Sequence, residues 1–166
     1  MSPDEAFLIR LLTALDTVRL DYVVVGMAAA ALQGAPVMTQ DVDLLVRDTP
    51  LTRSRIDELA KHIGAGRPLP VSELSTTLTL IGGEVAVDVL FDRLPGGHSF
   101  EGIRARAVTI ALGGHAALVA SLDDVIASKE AIGRPKDLAS LPILRDTQRI
   151  RSSLAREDRV REEGNP

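Results

Sequence analysis

Residues 41–46 read Asp-Val-Asp-Leu-Leu-Val, two carboxylates one residue apart that open a run of three aliphatic side chains. Aspartate is a poor strand former, and a carboxylate placed among apolar neighbours loses hydration. The pattern nevertheless predicts a strand, in which side chains at i and i+2 share a face. Asp41 and Asp43 then project together, while Val42 and Leu44 point the other way into a core. A fold for this chain must bury one face of that strand and accommodate two acids on the other.

A later segment has a related layout. Residues 75–91, STTLTLIGGEVAVDVLF, are two alternating runs joined by Gly82-Gly83, a two-residue hairpin signal. That turn sets Ile81 opposite Glu84, Leu80 opposite Val85, Leu78 opposite Val87 and Thr77 opposite Asp88. Leu78, Leu80, Val85, Val87 and Val89 then form an apolar face that belongs in the core, with Asp88 on the opposite face. The three acids converge if the two segments are neighbouring strands. Converging carboxylates repel one another unless a cation neutralises them, and hard oxygen donors suit Mg²⁺ or Mn²⁺.

The remaining elements frame these strands. Ser2, Pro3 and Glu5 form a helix start, and Phe7, Leu8, Leu11, Leu12 and Leu15 continue at helical spacing to about Leu20. A short buried strand follows at 21–26, then an Ala-rich helix at 27–34. Thr49-Pro50 opens a helix to His62 or Ile63, with a loop over 64–70. Residues 95–103 read as a loop, 105–112 as a strand closed by Gly113-Gly114, and 122–131 as a helix capped by Ser121. Asp137 reads as the cap of a C-terminal helical region broken at Pro142 and ending in a charged tail. This order predicts an α+β fold with a mixed sheet flanked by helices. Its 166 residues form one domain, with a core over about 5–120 and C-terminal helices over about 121–160.

Composition removes several function classes. Cysteine is absent, so neither a disulfide framework nor a thiolate metal site is available. His62, His98 and His115 lack zinc-ligand spacing, and no G-x-S-x-G elbow is present. The acidic N-terminus is unlike a signal peptide, and the longest apolar run, 23–32, is too short to span a bilayer, so a soluble cytoplasmic protein without membrane association is expected. A net charge of -4 argues against a broad basic surface for nucleic acid. Of the basic side chains 16 are Arg; the three Lys are Lys61, Lys129 and Lys136. On local grounds alone Lys129 reads as a solvated lysine beside Glu130, and the Arg residues of the tail as partners for interleaved acids.

Residues 22–46, YVVVGMAAAALQGAPVMTQDVDLLV, together with VAVDVLF at 85–91, resemble the minimal nucleotidyltransferases of the polymerase-beta superfamily. SKEAIGRPKDLASLPIL at 128–144 resembles the AbiEii-like toxin branch of that group. The resemblance implies a nucleotidyltransferase-like fold and transfer of a nucleoside monophosphate from an NTP to an acceptor hydroxyl. The acceptor would be an RNA or tRNA end, or a protein, and a cognate antitoxin would be the partner. Asp41, Asp43 and Asp88 would hold Mg²⁺ or Mn²⁺, with Asp88 the candidate base. Gly26, Met27 and Thr39 would border the nucleotide, and Lys129, Arg134 and Lys136 would contact its phosphates. Two positions depart from the pattern: Met27 stands where Gly or Ser is usual, and Val37 where an Arg is common. They motivate an alternative, a weakly active or inactive nucleotidyltransferase fold serving as a binding or regulatory module. A small-molecule (antibiotic) acceptor is set aside because about 50 residues after the last expected strand leave little room for a second helical domain.

Overall fold

A computed structural model describes residues 3–72, 76–82 and 85–163. The elements run α1 (Pro3–Val18), β1 (Tyr22–Val25), α2 (Gly26–Leu32), β2 (Asp41–Val46), α3 (Pro50–His62), β3 (Leu69–Pro70), β4 (Leu78–Ile81), β5 (Ala86–Phe91), α4 (Phe100–Arg106), β6 (Val108–Leu112), β7 (His115–Val119), α5 (Leu122–Ile132) and α6 (Pro135–Glu163). Among the described residues the strands form one mixed sheet in the order β3-β4-β5-β2-β1-β7-β6. The α+β expectation holds. Ser2, the expected cap of α1, lies outside the described residues.

β2 is the central strand. It runs antiparallel to β1, from Tyr22↔Val46 to Val25↔Asp43, and parallel to β5, from Asp41↔Ala86 to Val46↔Phe91. Val42, Leu44, Val46, Val87, Val89 and Leu80 are all buried on the face away from the acids. Full burial of such an aliphatic side chain stabilises the fold by about 1.5–3 kcal/mol. A one-residue slip would exchange those side chains for the acids, so burial alone specifies the face.

The β4–β5 hairpin differs from its expected form. Pairing begins at Ile81↔Ala86; Gly83 of the expected turn and the expected partner Glu84 lie outside the described residues. Leu80 faces Val87 rather than Val85, Leu78 faces Val89 rather than Val87, and Asp88 faces Thr79 rather than Thr77. The slip is two residues, which keeps every side chain on its face, so the alternating pattern could not distinguish the registers. A side-chain hydrogen bond favours the observed one, since Thr79 Oγ1 donates to Asp88 Oδ1 at 2.5 Å. The tight two-residue turn occurs instead at Gly113-Gly114, where φ is +56° and +82° and Leu112 pairs with His115.

Three elements were not expected. α4 takes residues 100–103 of the segment read as a loop and runs on to Arg106: Ser99 accepts from Gly102 N–H, and Phe100 and Ile103 are fully buried. β6 accordingly starts at Val108 rather than Ala105. β7, an Ala-containing segment of weak strand propensity, runs parallel to β1 at Val24↔Val119. β3 is a two-residue edge strand inside the expected 64–70 loop.

The C-terminal helix also departs from expectation, because α6 continues through Pro142. Proline removes the bond to the carbonyl four residues back, but the flanking Leu141 and Leu144 are buried in the core, and that burial offsets the loss. Among the described residues no helix is long and apolar enough to cross a membrane. Since Pro142 is exposed within a continuous helix, Pro142→Ala should raise unfolding free energy by about 1–2 kcal/mol in a urea titration. No gain, or a loss, would mean that the helix is interrupted there.

Candidate active site

The acids meet through strand pairing. Asp43 and Asp88 are register partners on adjacent parallel strands, and Asp41 lies two residues before Asp43 on the same face. Neighbouring strands are about 4.8 Å apart, so this register concentrates three carboxylates at one end of the sheet. Asp43 is the most enclosed by charge and packing. Its pKa is raised to about 6, first by burial, then by the negative charges of Asp41 and Asp88, while Lys129 and Lys136 pull it down. Threonine hydroxyls hold the other two acids: Thr79 Oγ1 donates to Asp88, and Thr39 Oγ1 lies 3.2 Å from Asp41 Oδ1 and 2.7 Å from the Asp41 carbonyl. In this arrangement no group of three or more His, Cys, Asp or Glu side chains among the described residues is closed around a common ion position. The donor set is nonetheless that of a hard cation, because acids that repel one another and lose hydration on a shared face gain most from a divalent ion.

Gly26 explains how β1 passes so near Asp43. Its φ is +65°, and a Cβ built there would lie 2.4 Å from Asp43 Oδ2. The glycine is therefore required by the carboxylate beside it as well as by the left-handed backbone. The chain turns directly into α2, whose Ala28, Ala29 and Ala30 are buried.

The opposite wall comes from the α5–α6 corner. A cleft of about 600 Å³ is lined by Asp41, Asp43 and Asp88 on one side and by Lys129, Arg134 and Lys136 on the other. Met27 and Thr39 also line it, so the residues singled out from the sequence come together there, apart from Gly26, which faces Asp43 instead. Met27 borders this volume without filling it. Val37 is packed against the hydrophobic core, so the departure at that position leaves the wall by the acids without a guanidinium. Met38, Gln40, Asp137 and Ser140 are lining residues that sequence reasoning missed. Met38 and Gln40 flank Thr39 and were detectable by adjacency; Met38 is 94% exposed.

Asp137 corrects two local readings. It is fully buried, and both carboxylate oxygens accept from side chains: Oδ1 from Lys129 Nζ at 2.9 Å, and Oδ2 from Arg134 Nε at 2.6 Å. It therefore acts as the counter-ion of a cationic pair rather than as a helix cap. The Arg134 guanidinium, and then Lys129, hold its pKa down at about 2 against the opposing effect of burial. Lys129 in turn is not a solvated lysine beside Glu130; its side chain is 16% exposed, and Glu130 pairs with Arg145.

Two outcomes follow from this electrostatic setting. Asp43 binds a proton in the folded state up to about pH 6, whereas the unfolded chain loses it near 3.8. Its contribution to stability is thus fully present below 3.8 and lost as pH rises through 6, a penalty on the order of 2–3 kcal/mol at pH 8. Asp43→Asn should therefore be more stable than the parent at pH 8 and nearly equal to it at pH 4 in denaturant unfolding, and equal stabilities at pH 8 would contradict the charge crowding. Gly26→Ala should cost at least about 1–2 kcal/mol in the same measurement, since it combines left-handed strain with a clash on Asp43.

No family model matches the chain, and no curated protein matches it. Solved structures do. The antibiotic-resistance factor ANT(2″)-Ia in solution aligns at TM-score 0.62 with 13% identity, covering 97% of this chain and 96% of that one. A second structure of that factor, in complex with adenylyl-2″-tobramycin, aligns at 0.62 and 13% identity over 94% and 99%. A candidate nucleotidyltransferase from Thermotoga maritima aligns at 0.60 and 19% identity over 86% and 93%. These likenesses extend over nearly the full length of each neighbour. The mixed sheet and its flanking helices are those of the nucleotidyltransferase-like fold.

Proposed function

We propose that this chain is a nucleotidyltransferase that moves a nucleoside monophosphate from an NTP to an acceptor hydroxyl and releases pyrophosphate. The observation that carries the reading is the in-register pairing of Asp43 with Asp88, with Asp41 on the same face and a cationic wall across a 600 Å³ cleft. A cleft of that size accommodates a nucleotide. The reading is also supported by the neighbour solved with adenylyl-2″-tobramycin, a nucleotidylated acceptor.

Asp41, Asp43 and Asp88 would hold a divalent cation, Mg²⁺ or Mn²⁺. Bound there, such a cation would offset triphosphate charge and acidify an acceptor hydroxyl. Lys129, Lys136 and Arg134 would bind and orient the phosphates. Met27 and Thr39 would border the nucleotide. Gly26 keeps Asp43 in place by leaving room for its carboxylate. Asp88 would accept the acceptor's hydroxyl proton as the new oxygen–phosphorus bond forms at the α-phosphate and the bond to the departing pyrophosphate breaks.

The AbiEii-like resemblance adds a finer reading: an RNA or tRNA end, or a protein hydroxyl, as acceptor, and a toxin–antitoxin setting in the cytoplasm with a cognate antitoxin. One observation favours a second reading. Met27 stands on the cleft wall, and two of the three cations there are already tied to Asp137, as would suit a module that has lost its chemistry.

Incubation with each α-labelled NTP, Mg²⁺ and in turn cellular RNA, protein lysate or an aminoglycoside tests these readings. Label should pass to one acceptor class, and Asp41→Asn or Asp88→Asn should reduce transfer at least about 10³-fold while the fold persists by circular dichroism. Undiminished transfer in either variant would remove these acids from the chemistry. Absence of NTP binding at millimolar ligand would favour the inactive module.

A further inference from the structure

Lys129 stands between carboxylates in two different settings. Its ion pair among the described residues is with the buried Asp137, at 2.9 Å. It also lines the cleft that Asp41, Asp43 and Asp88 line. A lysine with no anchor beside three acids would be drawn onto them, neutralising charge that a cation needs and withdrawing an ammonium that a phosphate needs. The anchor itself is costly, because a buried carboxylate gives up its hydration, and aliphatic packing of the kind seen at Leu141 and Leu144 joins helices at least as well. Its geometry is specific: α5 ends at Ile132, the chain turns through Gly133 and Arg134, and Asp137 returns beneath Lys129, accepting from Lys129 at Oδ1 and from Arg134 at both oxygens.

We propose that Asp137 is a positioning residue that withholds Lys129 from the acids of the cleft, leaving their charge to a divalent cation and the ammonium to the phosphates of a nucleotide. This inference rests on the proposed function, since it presumes that the cleft takes a cation and an NTP. It extends that reading by separating the two charges through a third, buried one.

Mn²⁺ titration by calorimetry and electron paramagnetic resonance tests it without any turnover. Asp137→Asn should weaken Mn²⁺ binding at least about tenfold and weaken NTP binding as well, the size expected for losing an outer positioning group. Lys129→Met, which leaves Asp137 paired with Arg134 and should fold, is expected to keep Mn²⁺ affinity within about threefold of the parent while losing NTP affinity. In Asp137→Asn/Lys129→Met, Mn²⁺ affinity should return to within about threefold of the parent, because no lysine remains to occupy the acids. A merely structural Asp137 would leave the double variant as weak as Asp137→Asn. Parent-like Mn²⁺ binding in Asp137→Asn, or a tenfold tightening in Lys129→Met, overturns the inference alone. Failure of the parent to bind Mn²⁺ overturns the proposed function and the inference with it.

Discussion

The parallel pairing of β2 with β5 is the interaction on which the rest of the molecule depends. It places Asp43 beside Asp88 and so brings like charges to one end of a sheet whose other face is dry. The repulsion is tolerated because the buried aliphatic set on that other face, Val42, Leu44, Val87 and Val89 among others, stabilises the same register more strongly than the carboxylates oppose it. Asp43 bears the residual strain, visible in a carboxyl that holds its proton to about pH 6. Gly26 is part of the same arrangement, since any side chain there would displace the acid.

The charges around the cleft are sorted by element. Acids come from the sheet, and cations come from the α5–α6 corner, with Asp137 beneath them. This sorting matters for the proposed chemistry. Binding a nucleotide triphosphate requires positive charge near the phosphates and negative charge near the cation, and the two would cancel if the side chains were free to meet. The departures at Met27 and Val37 bear on the same balance. Val37 is packed against the core, which leaves Lys129, Arg134 and Lys136 as the cations lining the cleft, and Met27 gives the cleft an apolar surface in place of a hydroxyl donor.

Local patterns were legible wherever a single physical rule decided the outcome. β2 follows the expected bounds because burial on one face leaves its alternation no second solution, and α3 begins at the expected Thr49-Pro50 with Thr49 accepting from Thr52 N–H. The β4–β5 register was not legible, because registers two residues apart bury the same face; a threonine hydroxyl on Asp88 favours the one adopted. α4 hid behind Gly102, and β7 behind its alanines, both held by packing that no local propensity reports. α6 passes through Pro142 because Leu141 and Leu144 find a core that the sequence did not display.

By itself, then, the amino-acid sequence determined which side chains share a face: Asp41 with Asp43, and Leu78 with Leu80, because strand periodicity acts over two residues and needs no partner. It also marked Asp41 and Asp43 as unusual in their surroundings, two carboxylates opening an aliphatic run. Only the tertiary structure decided that Asp88 is the neighbour of Asp43, that Lys129 faces the acids, and that Asp137 holds it, since each of these depends on segments far apart in the chain. Charge acts through space, and a chain read along its length carries no distances between elements.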